Sequence, residues 1–495
     1  MKKIRSYICI FLSFIFFILG SCTGDFEEMN VNPNGPADVS AGTLVPRTII
    51  ETAKIQDMRP PGFLVQFFAQ NSYIVEDRYR FPDNDMLSIW EGNYIRILKN
   101  AKIIKEKSVY LENKNMEALS EIISTNAYHT LTDVYGDIPY MQALLSDEGL
   151  TNPTYDKQSD IYPDLLVRLE KAGTLLSEAN GKIEGDILFD GDYKKWKIYA
   201  NSLRLRIAMR MSNVEPEKAR EIIERIFQNP NEYPIIASND QDIRLKWMGV
   251  APYREPWAQE YISGIDGSNH AVSKAMMDYL LSYKDPRLTA YARPTKADGS
   301  YVGAINGPVV GEEQNKDQVS RIGTFYTTDE AGYTKLVTYS EICFIRAEAA
   351  ERGWNVGQSA KDAYMEGIRS ALQYNKVEQQ DIETFLKSED IQYKDGNAEK
   401  NLYNIALQKW VSFYLQGLQG WAECRRTDVP LLEPAPGTLF PGKHNRIPFR
   451  AVWPNTEDMY NNANFNKAKE EAAIIDEADR LWGKQLWWDT RKNVY

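Results

Sequence analysis

YSEICFIRAEAAERGWNVGQSAKDAYMEGIRSALQY, residues 339–374, reads as two helices folded back on each other. Residues 339–352 make the first arm and 359–374 the second, with Gly353-Trp354-Asn355 as the turn. Ala347, Ala349, Ala360, Ala363 and Gly367 are small, and they stand where two helices can approach closely.

The same grammar repeats outward from this pair. Met116, Leu119, Ile123, Ala127, Leu131 and Val134 recur at helical spacing, and the run stops at Gly136 with Pro139 just beyond. Ile161, Leu165, Leu169, Ala172 and Leu176 form the next stripe, with Pro163 placed in its first turn. Trp196, Ala200, Leu203, Ile207 and Met211 form another, and Pro216 opens a short partner helix through Phe227. Residues 401–418 read as one further helix. Helix–turn–helix pairs with small residues at the seam predict tetratricopeptide-like units. Residues 229–270, 284–337 and 427–463 are instead rich in Gly, Pro and Asn. Such lengths are too long for bare loops and predict short strands and turns laid on the helices.

The fold class expected is therefore mainly α, with helix pairs as scaffold. A loop-rich, short-strand region near 229–337 and 427–463 is expected to carry a binding face. No Gly/Ser-rich linker divides the chain, so residues 43–495 read as a single domain. Composition narrows the chemistry. The 495 residues are 26% charged and carry a formal net charge of −11, which leaves no basic field for a nucleic-acid partner. Three His and four Cys form no CxxC or HExxH, so neither a metal nor another cofactor is expected. The 29 Tyr and 11 Trp outnumber 18 Phe, a bias toward rings with a polar handle.

Residues 1–21 read as a signal peptide: Lys2, Lys3 and Arg5 precede an apolar run of about a dozen residues, too short to span a bilayer. The run ends in Leu19-Gly20-Ser21-Cys22, which resembles a bacterial lipobox with Cys22 as the acylated residue. Residues 22–42 then form a tether and leader, with Asp25, Glu27 and Glu28 close behind the cysteine.

Several islands resemble the SusD/RagB family of nutrient-binding outer-membrane lipoproteins. They include Phe26-Glu27-Glu28-Met29-Asn30 with Asn32-Pro33-Asn34, Tyr135-Gly136-Asp137-Ile138-Pro139-Tyr140, and Ala200-Asn201-Ser202-Leu203-Arg204-Leu205-Arg206. Asp285-Pro286-Arg287-Leu288, 340–349, and Gln408-Lys409-Trp410 followed by Gly417, Trp421, Arg425-Arg426-Thr427 and Pro430 complete the set. The resemblance implies an α-rich fold and a lipid anchor at the cell surface, in the outer membrane. It also implies an oligosaccharide ligand and a SusC-like TonB-dependent transporter as partner, with no catalysis. Peptides replace glycans in the RagB branch, and a helix-rich glycoside hydrolase using two carboxylates is the enzymatic alternative.

The resembling islands look architectural, so the ligand site is read from this sequence itself. Loops on a rigid scaffold carry function. Sugars offer apolar faces to flat rings and hydroxyl rims to Arg and Asn. Residues 71–81 and 247–261 interleave both kinds of side chain in turn-rich or Pro-broken sequence. Tyr73, Tyr79, Tyr253 and Trp257 are the expected stacking rings, with Asn71, Arg78 and Arg254 on the hydroxyls. Arg204, Arg206 and Arg210 are expected to pair with acidic neighbours. Trp487-Trp488-Asp489 reads as a docked tail, and Cys343 and Cys424 as buried thiols, with a bridge between them left open.

Overall fold

A computed structural model describes residues 39–494 apart from 82, 264–268 and 443. The expected signal segment, the lipidation residue Cys22 and nearly all of the tether lie outside the described residues. Helix α1 (Ala41–Gln56) leads to the short α2 (Pro60–Leu64), which starts on two prolines whose missing N–H groups would have had no partner there. Strand β1 (Phe68–Gln70) follows, then α3 (Asp83–Glu91), a π-helical stretch over Gly92–Leu98, and α4 (Lys99–Tyr110). Helix α5 (Lys114–Tyr135) is capped by Asn113, whose side chain accepts the Met116 N–H at 3.1 Å, and it stops at Gly136 with φ +80°.

Beyond a small ladder of β2 (Ile138–Pro139) and β3 (Tyr155–Asp156) come α6 (Gln158–Leu175), α7 (Tyr193–Arg210) and α8 (Pro216–Gln228). Helix α6 begins earlier than its apolar stripe suggests, so Pro163 falls in the second turn rather than the first. The region expected to be irregular holds β4 (Ile243–Lys246), α9 (Pro256–Ser263), β5 (His270–Val272), α10 (Lys274–Ser282), α11 (Leu288–Tyr291), α12 (Thr324–Thr327) and β6 (Tyr333–Val337). Its strands pair antiparallel, β1 with β5 and β4 with β6.

The helical grammar then resumes with α13 (Tyr339–Glu351), α14 (Ala360–Tyr374), α15 (Gln379–Phe385), α16 (Ala398–Ser412), α17 (Gly417–Thr427), α18 (Asn455–Tyr460) and α19 (Asn462–Glu471). The protein is mainly α, as expected. Sequential helices pack side by side, α4 on α5, α5 on α6, α6 on α7 and α13 on α14. At the last seam Ala347 and Ala363 are buried, and a Cβ on Gly367 would come within 2.8 Å of the Phe344 ring. The single helix expected over 401–418 is two. Leu415 adopts φ +64°, and Gly417 packs so closely on α2 that a Cβ would lie 2.4 Å from the Gly62 nitrogen. No described helix is long and apolar enough to cross a membrane.

Buried charge ties these helices together. Arg206 of α7 meets Glu341 of α13 through two bonds of 2.6 Å, and Arg204 pairs with Glu170 at 2.9 Å. Arg210 lies 3.4 Å from Glu423 and 3.5 Å from Asp133. Arg426 bridges Glu348 at 2.6 Å and Glu423 at 2.5 Å. Fork-shaped guanidinium pairs of this kind fix orientation as well as charge. Cys343 and Cys424 are free, and burial pushes both thiols up to about 12. Trp488 is fully buried, so the C-terminal tail is docked on the body.

Candidate functional site

The β1–β5 ladder brings the two ring-bearing stretches together. Its register pairs Gln70 with His270, so the chain after β1 runs beside the chain before β5. Asn71 donates its backbone N–H to the Asn269 carbonyl at 2.8 Å, and Ser72 donates its own to the Asn269 side chain at 2.7 Å. The C-terminal end of α1 and the start of α2 close the third side. Between them lies an open cavity of about 770 Å³. Tyr73, Arg254, Asp57, Arg59, Glu260 and His270 are among the residues that line it.

The rim is aromatic and exposed. Tyr73 is 84% exposed and held at φ +54°. Tyr253 sits on a tight turn where its carbonyl accepts the Met248 and Gly249 N–H groups, and its ring is exposed beside the exposed Met248 and Val250. It flanks the cavity, whose wall contains its neighbours Pro252 and Arg254. Arg254 pairs with Glu330 at 2.5 Å and donates to Gln259 at 3.2 Å, which fixes its guanidinium at the edge.

The floor is a compensated charge cluster. Arg59 donates Nε and Nη2 to one Glu260 oxygen at 3.1 and 3.0 Å, and Nη1 to the Asp57 carbonyl at 2.7 Å. The other Glu260 oxygen lies 2.7 Å from Nδ1 of His270. Burial would raise Glu260, but Arg59 and His270 overcome it and hold the carboxyl down to about 2. Asp57 goes the other way. Burial lifts it to about 6 against the pull of Arg59, and burial together with Asp57 lifts the adjacent Glu255 to about 8. A site so built offers fixed hydrogen-bonding groups at its base and a flat ring at its lip.

Four of the expected ligand residues belong to the architecture instead. Trp257 is 2% exposed: the Arg59 guanidinium lies 3.5 Å over its ring, and Phe68 and His270 meet it edge to face. Tyr79 is buried, accepts the Ala435 N–H on its hydroxyl at 2.8 Å and packs edge-on against Trp482. Arg78 donates to the Gly437 carbonyl and so ties down the 427–463 segment, while Asn71 is buried beneath the rim. The expectation that Trp257 and Tyr79 present faces to a ligand is corrected accordingly. Trp257 lies on the inward face of α9, a helix that the Pro-broken reading of 247–261 did not anticipate. Asp57 and Arg59, neighbours between α1 and α2, and His270 were not singled out, because the two ends of the cluster are about 200 residues apart and meet only once β1 pairs with β5. The far end of 71–81 opens on a second cavity of about 620 Å³, walled by Phe81, Phe440, Trp453 and Arg480 among others.

Among solved structures the chain is similar to a chitin-binding protein, with 26% identity and a TM-score of 0.79 over 91% of this chain and 100% of that one. A SusD homologue from Bacteroides uniformis aligns at 23% identity and TM-score 0.80, covering 92% of this chain and all of that one. A chitin-binding SusD homologue from Flavobacterium johnsoniae aligns at 22% and 0.77, covering 91% and 99%. No curated protein matched the sequence. The sequence pattern of the SusD-like family, described as starch-binding and associating with the outer membrane, fits residues 33–454, and the chain belongs to that family.

Proposed function

We propose that the protein is a non-catalytic, surface-anchored glycan-binding lipoprotein whose ligand lies in the cavity rimmed by Tyr73 and Arg254. The observation that carries this reading is the convergence of both ring-bearing stretches on one open cavity with a polar, charge-balanced floor. Across the lining Lys54, Arg59 and Arg254 stand against Asp57, Glu76 and Glu260, which suits a neutral, hydroxyl-rich ligand better than a charged one. Tyr73 supplies the stacking face, Tyr253 extends it, and Arg254 reads the hydroxyl rim. Acylation of Cys22 holds the protein to the outer membrane, and captured oligosaccharide passes to a TonB-dependent transporter. The chitin-binding name of a relative makes β-linked N-acetylglucosamine oligomers the first ligands to try.

Calorimetry on the mature chain with chitin and starch oligosaccharides tests the reading, with chain length of the sugar followed in parallel. One class is expected to bind and to stay uncut. Tyr73→Ala is expected to weaken it by about 2 kcal/mol, roughly thirtyfold, with unchanged circular dichroism. Affinity untouched by Tyr73→Ala would move the ligand elsewhere, and steady release of shorter sugars would make the protein a hydrolase.

A further inference from the structure

A third cavity, of about 470 Å³, lies between the start of α6 and the C-terminal segment. Lys157, Arg450, Lys484, Asp137, Glu471 and Asp489 are its charged lining residues. Their charges can be paired off. Lys157 contacts both Asp137, at 2.8 Å, and Glu471, with Lys484 beside Glu471. Asp489 is matched by Arg491 at 2.7 Å. With Asp489 taken up by Arg491 from outside the lining, the three cations of the lining face two remaining carboxylates, and one positive charge is left over.

That charge belongs to Arg450, which is only 3% exposed. Its Nη2 donates to the Tyr135 carbonyl, and its flat face rests 3.9 Å over the Trp453 ring. Its Nε is buried with no hydrogen-bond partner, and no carboxylate among the described residues pairs with the guanidinium. Burial lowers it to about 10, against the opposing pull of Asp137. A buried cation without a counter-ion is costly; Arg206, Arg287 and Arg426 each hold a carboxylate, and Arg425, which holds none, spends its guanidinium on three backbone carbonyls, whereas the Arg450 Nε has no partner. The N-terminus of the eighteen-residue α6 opens on the same cavity, where Asp137 already accepts the Gln158 N–H at 2.9 Å, so the unmatched charge there is that of Arg450 rather than of the helix end.

We propose that this cavity is an anion site in which Arg450, assisted by Lys484, takes a single carboxylate. The shared chemistry is a planar monoanion, supplied either by a small free carboxylic acid or by a uronic acid unit of a glycan. The site is independent of the cavity rimmed by Tyr73, and neither reading depends on the other.

The test uses the full mature chain with Cys22→Ser, titrated with acetate and separately with galacturonate at fixed ionic strength with chloride as balancing ion. Trp487 lines the cavity and Trp453 stacks on Arg450, so tryptophan emission reports occupancy. A saturable change with one site per chain is expected. Arg450→Gln should weaken it at least tenfold. Lys484→Glu, at an exposed position, should weaken it several-fold with the fold intact. Saturation by acetate identifies a free acid as sufficient, and saturation by galacturonate alone identifies the sugar acid. If Arg450→Gln does not fold, Lys484→Glu and Arg450→Lys decide the matter. An unsaturable response to both probes, or one equal in wild type and Lys484→Glu, overturns the proposal.

Discussion

His129 is an imidazole that folding keeps neutral. It is buried on α5, and burial, reinforced by Arg210 and Arg206 against the opposing Asp133, lowers it to about 4. In the unfolded chain the ring titrates near 6.5. Between those values the unfolded state binds the extra proton, so the His129 contribution is complete above about pH 6.5 and is lost as pH falls toward 4. It amounts to about 3 kcal/mol. Asp77 and Asp242, both lifted by burial to about 7, slope the other way, so the useful measurement is a difference. Urea unfolding of wild type and His129→Gln should converge by that amount on going from pH 7 to pH 4. Glu423 is the opposite case. Burial alone would raise it, yet Arg426, Lys409 and Arg210 hold it well below the usual carboxylate range. Glu423→Gln leaves those cations facing an amide and should cost about 3–5 kcal/mol in urea unfolding at pH 7.

At the level of elements, the α13–α14 seam gives the sharpest expectation. A Cβ on Gly367 already meets the Phe344 ring at 2.8 Å, so Gly367→Val should cost about 1–3 kcal/mol through overpacking. Phe344→Leu in the same background should recover part of the loss, read as a coupling in a double-mutant cycle. This seam was legible in the sequence because small residues mark both arms, and Ala347, Ala363 and Gly367 do meet there. So were the stop at Gly136 and the start at Pro216, since both residues act through their own backbone. The break between α16 and α17 was not legible, because the positive φ of Leu415 answers to the approach of Gly417 to Gly62 from a distant part of the chain. The candidate site divides in the same way. Turn-rich sequence announced the exposed Tyr73 and Tyr253. Nothing local distinguishes them from Trp257, whose burial is settled by Arg59 arriving over its face.

For the whole molecule, the proposed function makes the rim and the floor respond differently to truncation. Trp257→Ala empties a buried position between Phe68, His270 and Arg59, and should lower unfolding stability by about 3–5 kcal/mol. Any loss of glycan binding in that variant should track the loss of native circular dichroism, unlike the loss expected at Tyr73. Anchoring is tested by Cys22→Ala, which should shift the protein from the outer-membrane fraction to a soluble or unprocessed form. One acyl chain binds membranes only marginally and several hold firmly, so the shift should be nearly complete.

The ladder that pairs Phe68 with Val272 also sets a timetable. During synthesis β1 emerges first, and helices α3 to α8 are all made before β5 appears to complete the floor. A chain halted before His270 has neither the histidine that meets Glu260 nor the strand that positions Tyr73. Closing so long a loop is among the slower steps open to a chain. Competence to hold a ligand there is therefore acquired late, and ligand favours the finished protein alone, by a margin that grows with the logarithm of its concentration.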